Sequence, residues 1–215
     1  GAAGGGSGGG VGVGAAVAIN VATVVNEAVV PTGATVNAQG ITVEALMTDV
    51  AGDSTHMFGA QATSGAGMTD VGVAGSIAIS IVNNRTEALL EPGSVLMLNS
   101  GELKITAENR ASYVVTAKPE VTLDGASGTD VGIGASFPLN IALNTQPRAV
   151  AQDGAQIRGT ASQSTVQATS IQTVMTEADA GAKSTDGVAV SPAVALSLIK
   201  NTTEASLGTG EPHGL

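Results

Sequence analysis

The chain has 215 residues, enough for one sizeable core or two small ones, and its 43% hydrophobic content is too high and too regularly patterned for a disordered chain. With 30 Gly, 12% charged and 1% aromatic residues, it lacks the side chains of a thick globular core and suits thin, closely stacked sheets of small and β-branched residues. The net charge of −10, with 8 scattered Lys and Arg, argues against a nucleic-acid partner, and the absence of Cys excludes disulfides and Cys-bearing metal sites.

Taken in chain order, the first segment is a Gly-rich start over residues 1–10, in which Gly4-Gly5-Gly6-Ser7-Gly8-Gly9-Gly10 reads as a loop leading into a strand. No signal peptide is read in it, because Gly1 opens directly into the Gly-rich stretch. The chain is therefore expected to be a mature product or a piece of something longer. No apolar run reaches the ~18 residues of a membrane-spanning helix, so no transmembrane segment is expected.

A repeat follows. Val11-Gly12-Val13-Gly14-Ala15 returns as Val71-Gly72-Val73-Ala74-Gly75, as Val131-Gly132-Ile133-Gly134-Ala135, and in altered form from Val188, at spacings of 60, 60 and 57 residues. A second anchor keeps the same order: Ala28, Ala88, Ala149 and Ala205 are each followed five residues later by Gly33, Gly93, Gly154 and Gly210. The divisions expected are repeat 1 over 11–70, repeat 2 over 71–130, repeat 3 over 131–187, a partial repeat 4 over 188–210, and a tail over 211–215 in which Pro212 and His213 break the pattern.

Each repeat opens with a period-two strand. In the first, Val11, Val13, Val17, Ile19 and Val21 share one face, and Gly12, Gly14, Ala16, Ala18 and Asn20 share the other. The large aliphatic face is expected to bury against a core, and the small face to admit a neighbouring sheet at close range. Shorter strands are expected near Glu27–Val30, Thr35–Ala38 and Ile41–Leu46. Their counterparts lie at Leu103–Ala107 and Thr165–Ala168, and Ser64-Gly65-Ala66-Gly67 reads as a loop before the second long strand. Pro138 and Pro192 fall within long strands and should mark bulges or edges. The fold class these patterns predict is all-β: an elongated, parallel, β-helix-like solenoid of stacked units of about 60 residues.

The run Gly8–Asn20, followed by Asn26-Glu27-Ala28 and Gly33-Ala34-Thr35-Val36, resembles the repeat of leukotoxin-type filamentous adhesins, and the resemblance extends from about Gly8 to Gly210. It implies an extracellular β-rich rod at the bacterial cell surface, with a role in attachment or self-association, and it implies no catalytic residues.

Thr69-Asp70, Thr129-Asp130 and Thr185-Asp186 precede the long strand in three units. Asp70, Asp130 and Asp186 are candidate Ca²⁺ ligands, since Ca²⁺ takes clustered oxygens. The plainer reading is a row of turn residues. No other cofactor is expected. The Ser/Thr-rich stretch Thr160–Thr176 could offer hydroxyls to ice or a glycan, but no Thr-x-Thr ladder recurs, and Phe58, Tyr113 and Phe137 are the only aromatic residues. His56 and His213 stand apart. Glu27, Glu87 and Glu204 recur beside the anchor Ala, with Arg148 in the third unit, as exposed strand positions rather than a catalytic pair. The Gly-x-Gly runs lie within strands and open no helix, so no dinucleotide loop is read from them.

The expected function is a non-enzymatic, structural or adhesive rod segment of a bacterial extracellular fibre. Its partners would be further copies of itself, or a host or neighbouring-cell surface. The alternatives are a ligand-binding module for Ca²⁺, glycan or ice, and a polysaccharide-active β-helix enzyme. The last would need charged groups converging in one groove.

Overall fold

The computed structural model describes residues 2–8, 10–68, 70–120 and 125–208, and every regular element among them is a β-strand. The chain makes three successive passes and part of a fourth. After β1 (Ala2–Gly8), the first pass holds β2 (Val11–Val30), β3 (Thr35–Ala38), β4 (Ile41–Ala45) and β5 (His56–Met68). The second holds β6 (Val71–Leu90), β7 (Val95–Asn99), β8 (Glu102–Pro119) and β9 (Ala126–Gly128). The third holds β10 (Val131–Ala151), β11 (Gln156–Thr160), β12 (Gln163–Ala178) and β13 (Ala182–Ser184), and the fourth β14 (Val188–Val190), β15 (Leu196–Asn201) and β16 (Glu204–Leu207).

These strands form three sheets, and all pairing between them is parallel. The long sheet runs β2-β6-β10, with β14, β15 and β16 lying in turn along β10. The short sheet is β3-β7-β11. The return sheet places β4 and β5 beside β8, β8 beside β12, and β9 between β5 and β13, while β1 lies on β5. The all-β, parallel part of the sequence expectation is borne out. Several local expectations are corrected. The long strand does not stop near Val21 but continues unbroken to Val30. Residues 64–67 are strand rather than loop, and so are Ala2–Gly8 of the Gly-rich start. Gly1, Gly9, Thr69, Gly210, Pro212, His213 and the 211–215 tail lie outside the described residues.

Equivalent residues stack. Val11, Val71, Val131 and Val188 are successive partners, as are Ala28 with Ala88 and Ala88 with Ala149. Between the first two passes, however, the offset changes along the way. Thr35 pairs with Val95, Ile41 with Leu103, His56 with Ala111 and Ala66 with Ala126, so it runs 60, 62, 55 and 60. The loop over 46–55 lengthens the first pass, and the segments around Ser100 and over 120–125 lengthen the second by the same amount.

Corners are fixed by stacked turns. Ala34, Ser94 and Ala155 N–H donate to Pro31, Glu91 and Gln152 O at 3.0–3.1 Å. Gly33, Gly93 and Gly154 lie at φ 76°, 77° and 86°, a region where a Cβ is costly. This accounts for the recurring Gly of the second anchor in the first three passes.

The two faces of the long strand are reversed relative to expectation. Gly12, Gly14, Ala16 and Ala18 point inward, whereas Val11 (67% exposed), Val13 (67%), Ile19 (65%) and Val21 (71%) point out. The cause is the nearness of the return sheet. A Cβ built on Gly14 would lie 2.0 Å from Gly65 O, one on Gly72 2.3 Å from Ser127 O, and one on Gly134 2.0 Å from Gly181 O. Sheets packed through ordinary side chains stand ~10 Å apart, and these two cannot be so far apart at this end. Inward side chains then grow along the strand. They run from Gly72 through Ala78 and Val82 to Leu90, where the three sheets meet around Leu90, Leu96, Leu98, Leu103, Ile105 and Ile157, all buried. The molecule is thin at one edge and thick at the other.

Pro192 does interrupt its strand, between β14 and β15. Pro138 is paired in continuous register with Ala78, and the bulge of β10 falls further on, between Leu143 and Gln146. Ser136 N–H points to Pro192 O of the fourth pass (3.1 Å). Pro138, two residues on, turns its missing N–H to the same side, where the fourth pass is not strand.

Two glycines distinguish packing from propensity. Gly72→Ala is expected to cost about 3 kcal/mol or more, because backbone must move. A Cβ at Gly75 meets nothing within 4 Å, so Gly75→Ala should be neutral or stabilise by up to about 1 kcal/mol. Urea unfolding at low protein concentration measures both, and equal losses would contradict the close approach.

Candidate functional site

The acidic corner comes first. Asp70 and Asp130 occupy the bends before β6 and β10, and Asp186 the bend before β14, one above another in successive passes. Their backbones carry the stack: Asp130 N–H donates to Asp70 O (3.0 Å), Val131 N–H to Asp70 O (3.1 Å) and Val188 N–H to Asp130 O (2.8 Å). At the third corner the side-chain cap is Ser184, whose Oγ accepts from Gly187 N–H (2.9 Å) and donates to Thr129 O (2.9 Å). Among the described residues, no group of three or more His, Asp or Glu gathers at ligand distance.

The structure does bring together the recurring glutamates. Glu27, Glu87, Arg148 and Glu204 fall in one outward row of the long sheet, since Glu27 pairs with Glu87, Glu87 with Arg148 and Arg148 with Glu204. Arg85, two residues before Glu87 and so on the same face, joins them. The result is an alternating chain across all four passes. Arg85 bonds Glu27 and reaches Glu87 (3.4 Å), and Arg148 donates to Glu87 (3.0 Å) and to Glu204 (2.8 Å). Glu87 is 3% exposed and has an arginine on either side. A carboxylate so enclosed is tolerable only because both cations face it. Stacking equivalent residues would otherwise place like charges side by side, and Arg148 in the third pass relieves that repulsion. The hydrogen bond from Arg148 holds the Glu204 carboxyl below its usual range, and the same contact raises the Arg148 guanidinium. Arg85 was missed from the sequence, although its spacing of two from Glu87 is the signal for a shared strand face.

The remaining candidates do not converge. His56 begins β5 and sets its ring edge-on to Phe58 (6.3 Å), which stacks on the fully buried Tyr113 (5.5 Å). The Tyr113 hydroxyl lies 3.3 Å from Thr145 Oγ1. Phe58 and Tyr113 are therefore interior packing, while Phe137 lies on the outer face of the long sheet. Thr165, Thr169 and Thr173 ride on β12. In the loop over 46–55, Asp49 and Asp53 accept from Gly52 and Thr55 N–H (2.9 and 2.7 Å), and the latter bond lowers the Asp53 pKa.

The last feature is the pair of sheet ends. Among the described residues, β2, β3 and β4 have no strand on their outer side, and neither do β11 and β12 at the opposite end. Each such row of backbone N–H and C=O groups is a template for a further parallel strand. Among the described residues, no helix is long and apolar enough to cross a membrane. No family model matches the chain, and comparisons with curated proteins and with solved structures find no match.

Removing the central cation should be the most damaging change in the charged row. Arg148→Met is expected to cost about 1–3 kcal/mol in urea unfolding, because Glu87 stays enclosed with one cation fewer, and Glu87→Gln in the same chain should recover part of it. Glu204 is half-exposed, so its contribution is at most about 1 kcal/mol. Because its folded pKa is lowered, that contribution is full above the ordinary carboxylate range and is lost as pH falls through the folded value. Unfolding followed below about pH 4 should thus show wild type losing stability faster than Glu204→Gln.

Proposed function

We infer that the chain is a structural segment of a bacterial surface fibre, a parallel β-solenoid whose units of about 60 residues stack into a rod that self-associates or mediates attachment. The observation carrying this reading is the stacking of like on like. The Val11 row, the anchor-Ala row and the turn glycines each align residues of the same kind from pass to pass, and among the described residues the outermost strands keep unpaired edges. Such an arrangement extends by adding further units in the same register, either from the same chain or from another copy. The leukotoxin-type adhesin resemblance supports the same reading and adds an extracellular, cell-surface setting. The lack of Cys and the acidic balance suit that setting. The charged groups are spread as a ladder across the passes rather than gathered in a groove, which favours a structural over a catalytic role.

Negative-stain electron microscopy of the purified chain, with and without calcium, tests this. Rods that lengthen with protein concentration, independently of calcium, are expected. Particles that stay short at every concentration would overturn self-association through the ends, and a melting temperature that rises with calcium would move the assignment to a ligand-binding module.

A further inference from the structure

The outer face of the long sheet is apolar, exposed and corrugated. Across the passes it carries a ridge, Val17, Ile77 and Phe137, beside a floor of small residues, Ala15, Gly75 and Ala135. The floor and its walls enclose an apolar trough of about 430 Å³. Gly75 has no internal reason to be glycine. Its φ is ordinary for a strand and a Cβ there meets nothing within 4 Å, whereas a Cβ on Gly14, Gly72, Gly132 or Gly134 would strike backbone. A glycine in mid-strand weakens the strand and often marks a place where a ligand or another backbone comes close.

We propose that this face binds the same face of a second copy, through a two-fold axis parallel to the direction in which the passes stack. That operation reverses the strands and keeps the passes level. With the axis over the row between floor and ridge, the ridge of each copy enters the trough of the other, so that Phe137 lies on the partner's Ala135 and Ile77 on the partner's Gly75. Possession of one ridge and one adjoining trough of matching length makes the patch complementary to itself, as a two-fold interface requires.

Size and charge agree. The rows from Val11 to Val21, over four passes, cover roughly 600 Å² in plane at ordinary strand rise and spacing. With the relief of the side chains, that approaches the ~800 Å² per partner of a standard stable interface. The field itself is uncharged. At one margin lie Asp70, Asp130 and Asp186. At the other, beyond Val21, lies Lys200, which follows Ile199, the partner of Ala142. Reversing the strands sets Lys200 against the partner's Asp186, whereas an axis along the strands would set acid against acid. An anionic lipid surface fits poorly against a chain of net charge −10 with an acidic margin. The pairing rests on the reading of the chain as a self-associating segment, but it uses a face rather than an end.

Sedimentation equilibrium over a micromolar to near-millimolar range tests it. Wild type should reach a discrete dimer. Gly75→Leu, which has room within its own chain and should keep the wild-type unfolding midpoint, should weaken association roughly a hundredfold, and Ile77→Lys likewise. Lys200→Glu should weaken it less, and Asp186→Lys in the same chain should restore it. A monomer at the highest concentration, or a dimer indifferent to Gly75→Leu and Ile77→Lys, overturns the proposal. Open-ended oligomers unaffected by Gly75→Leu overturn it while leaving the end-to-end reading intact. Discrete dimers without rods in the microscope support it and remove that reading.

Discussion

The contact on which everything else rests is the approach of the return sheet to the long sheet at glycine distance. Carbonyl oxygens of one sheet occupy the space that Cβ atoms would fill on the other, as at Gly14, Gly72 and Gly134. Inward positions there are Gly or, at Ala74, the smallest side chain, and slightly further along Ala or Ser. An interior so thin buries little area per residue. The bulk of the hydrophobic stabilisation therefore comes from the thick end, around Leu90, Leu96, Ile105 and Ile157. The thin edge also decides the outer face: side chains too large for the interior have nowhere to point but out.

This inversion shows where the sequence could be read and where it misled. The period-two pattern, the stacking interval and the parallel, helix-free architecture are all legible in the Val-Gly runs. The sense of the faces is legible too, but only through the length of the strand. Glu27, Arg85 and Glu87 fall in the same alternation as Val11–Val21 and Val71–Ile81, and an ion-paired row belongs at the surface. Ending the strand near Val21 cuts that connection. The usual rule that large aliphatic residues face the core then assigns the face the wrong way. The return sheet is the other obscure part. Its sequences over 56–68, 108–119 and 163–178 mix Ala, Thr, Ser and Gln without strong alternation, because many inward positions are small, such as Ala62, Ala111 and Ala117, while apolar residues such as Met57 and Ile171 stand among the polar ones outside.

The stacking interval carries its own lesson. A spacing of 60 between the first and second long strands suggests two copies alike throughout, yet the registers differ inside them. The conserved quantity is the position of each strand over its neighbour. Chain length is free to vary at the corners, where a loop such as 46–55 leaves the ladders untouched. The charged row is similarly constrained by stacking. In a parallel stack, a repeated glutamate meets its own copies, and the row is stable only because two arginines are interposed.

The ladders also bear on how such a chain reaches its native state. Strands pair with residues some 55 to 62 positions away, never with an adjoining strand through a tight hairpin. No local nucleus is thus available, and the first pass must be ordered before it has a partner to lie on. Once two passes have met, each later one finds a ready surface and loses entropy against an immediate gain in hydrogen bonds. Formation of the structure is then a slow initiation followed by quick, directional growth, closer to crystallisation than to the collapse of a globule.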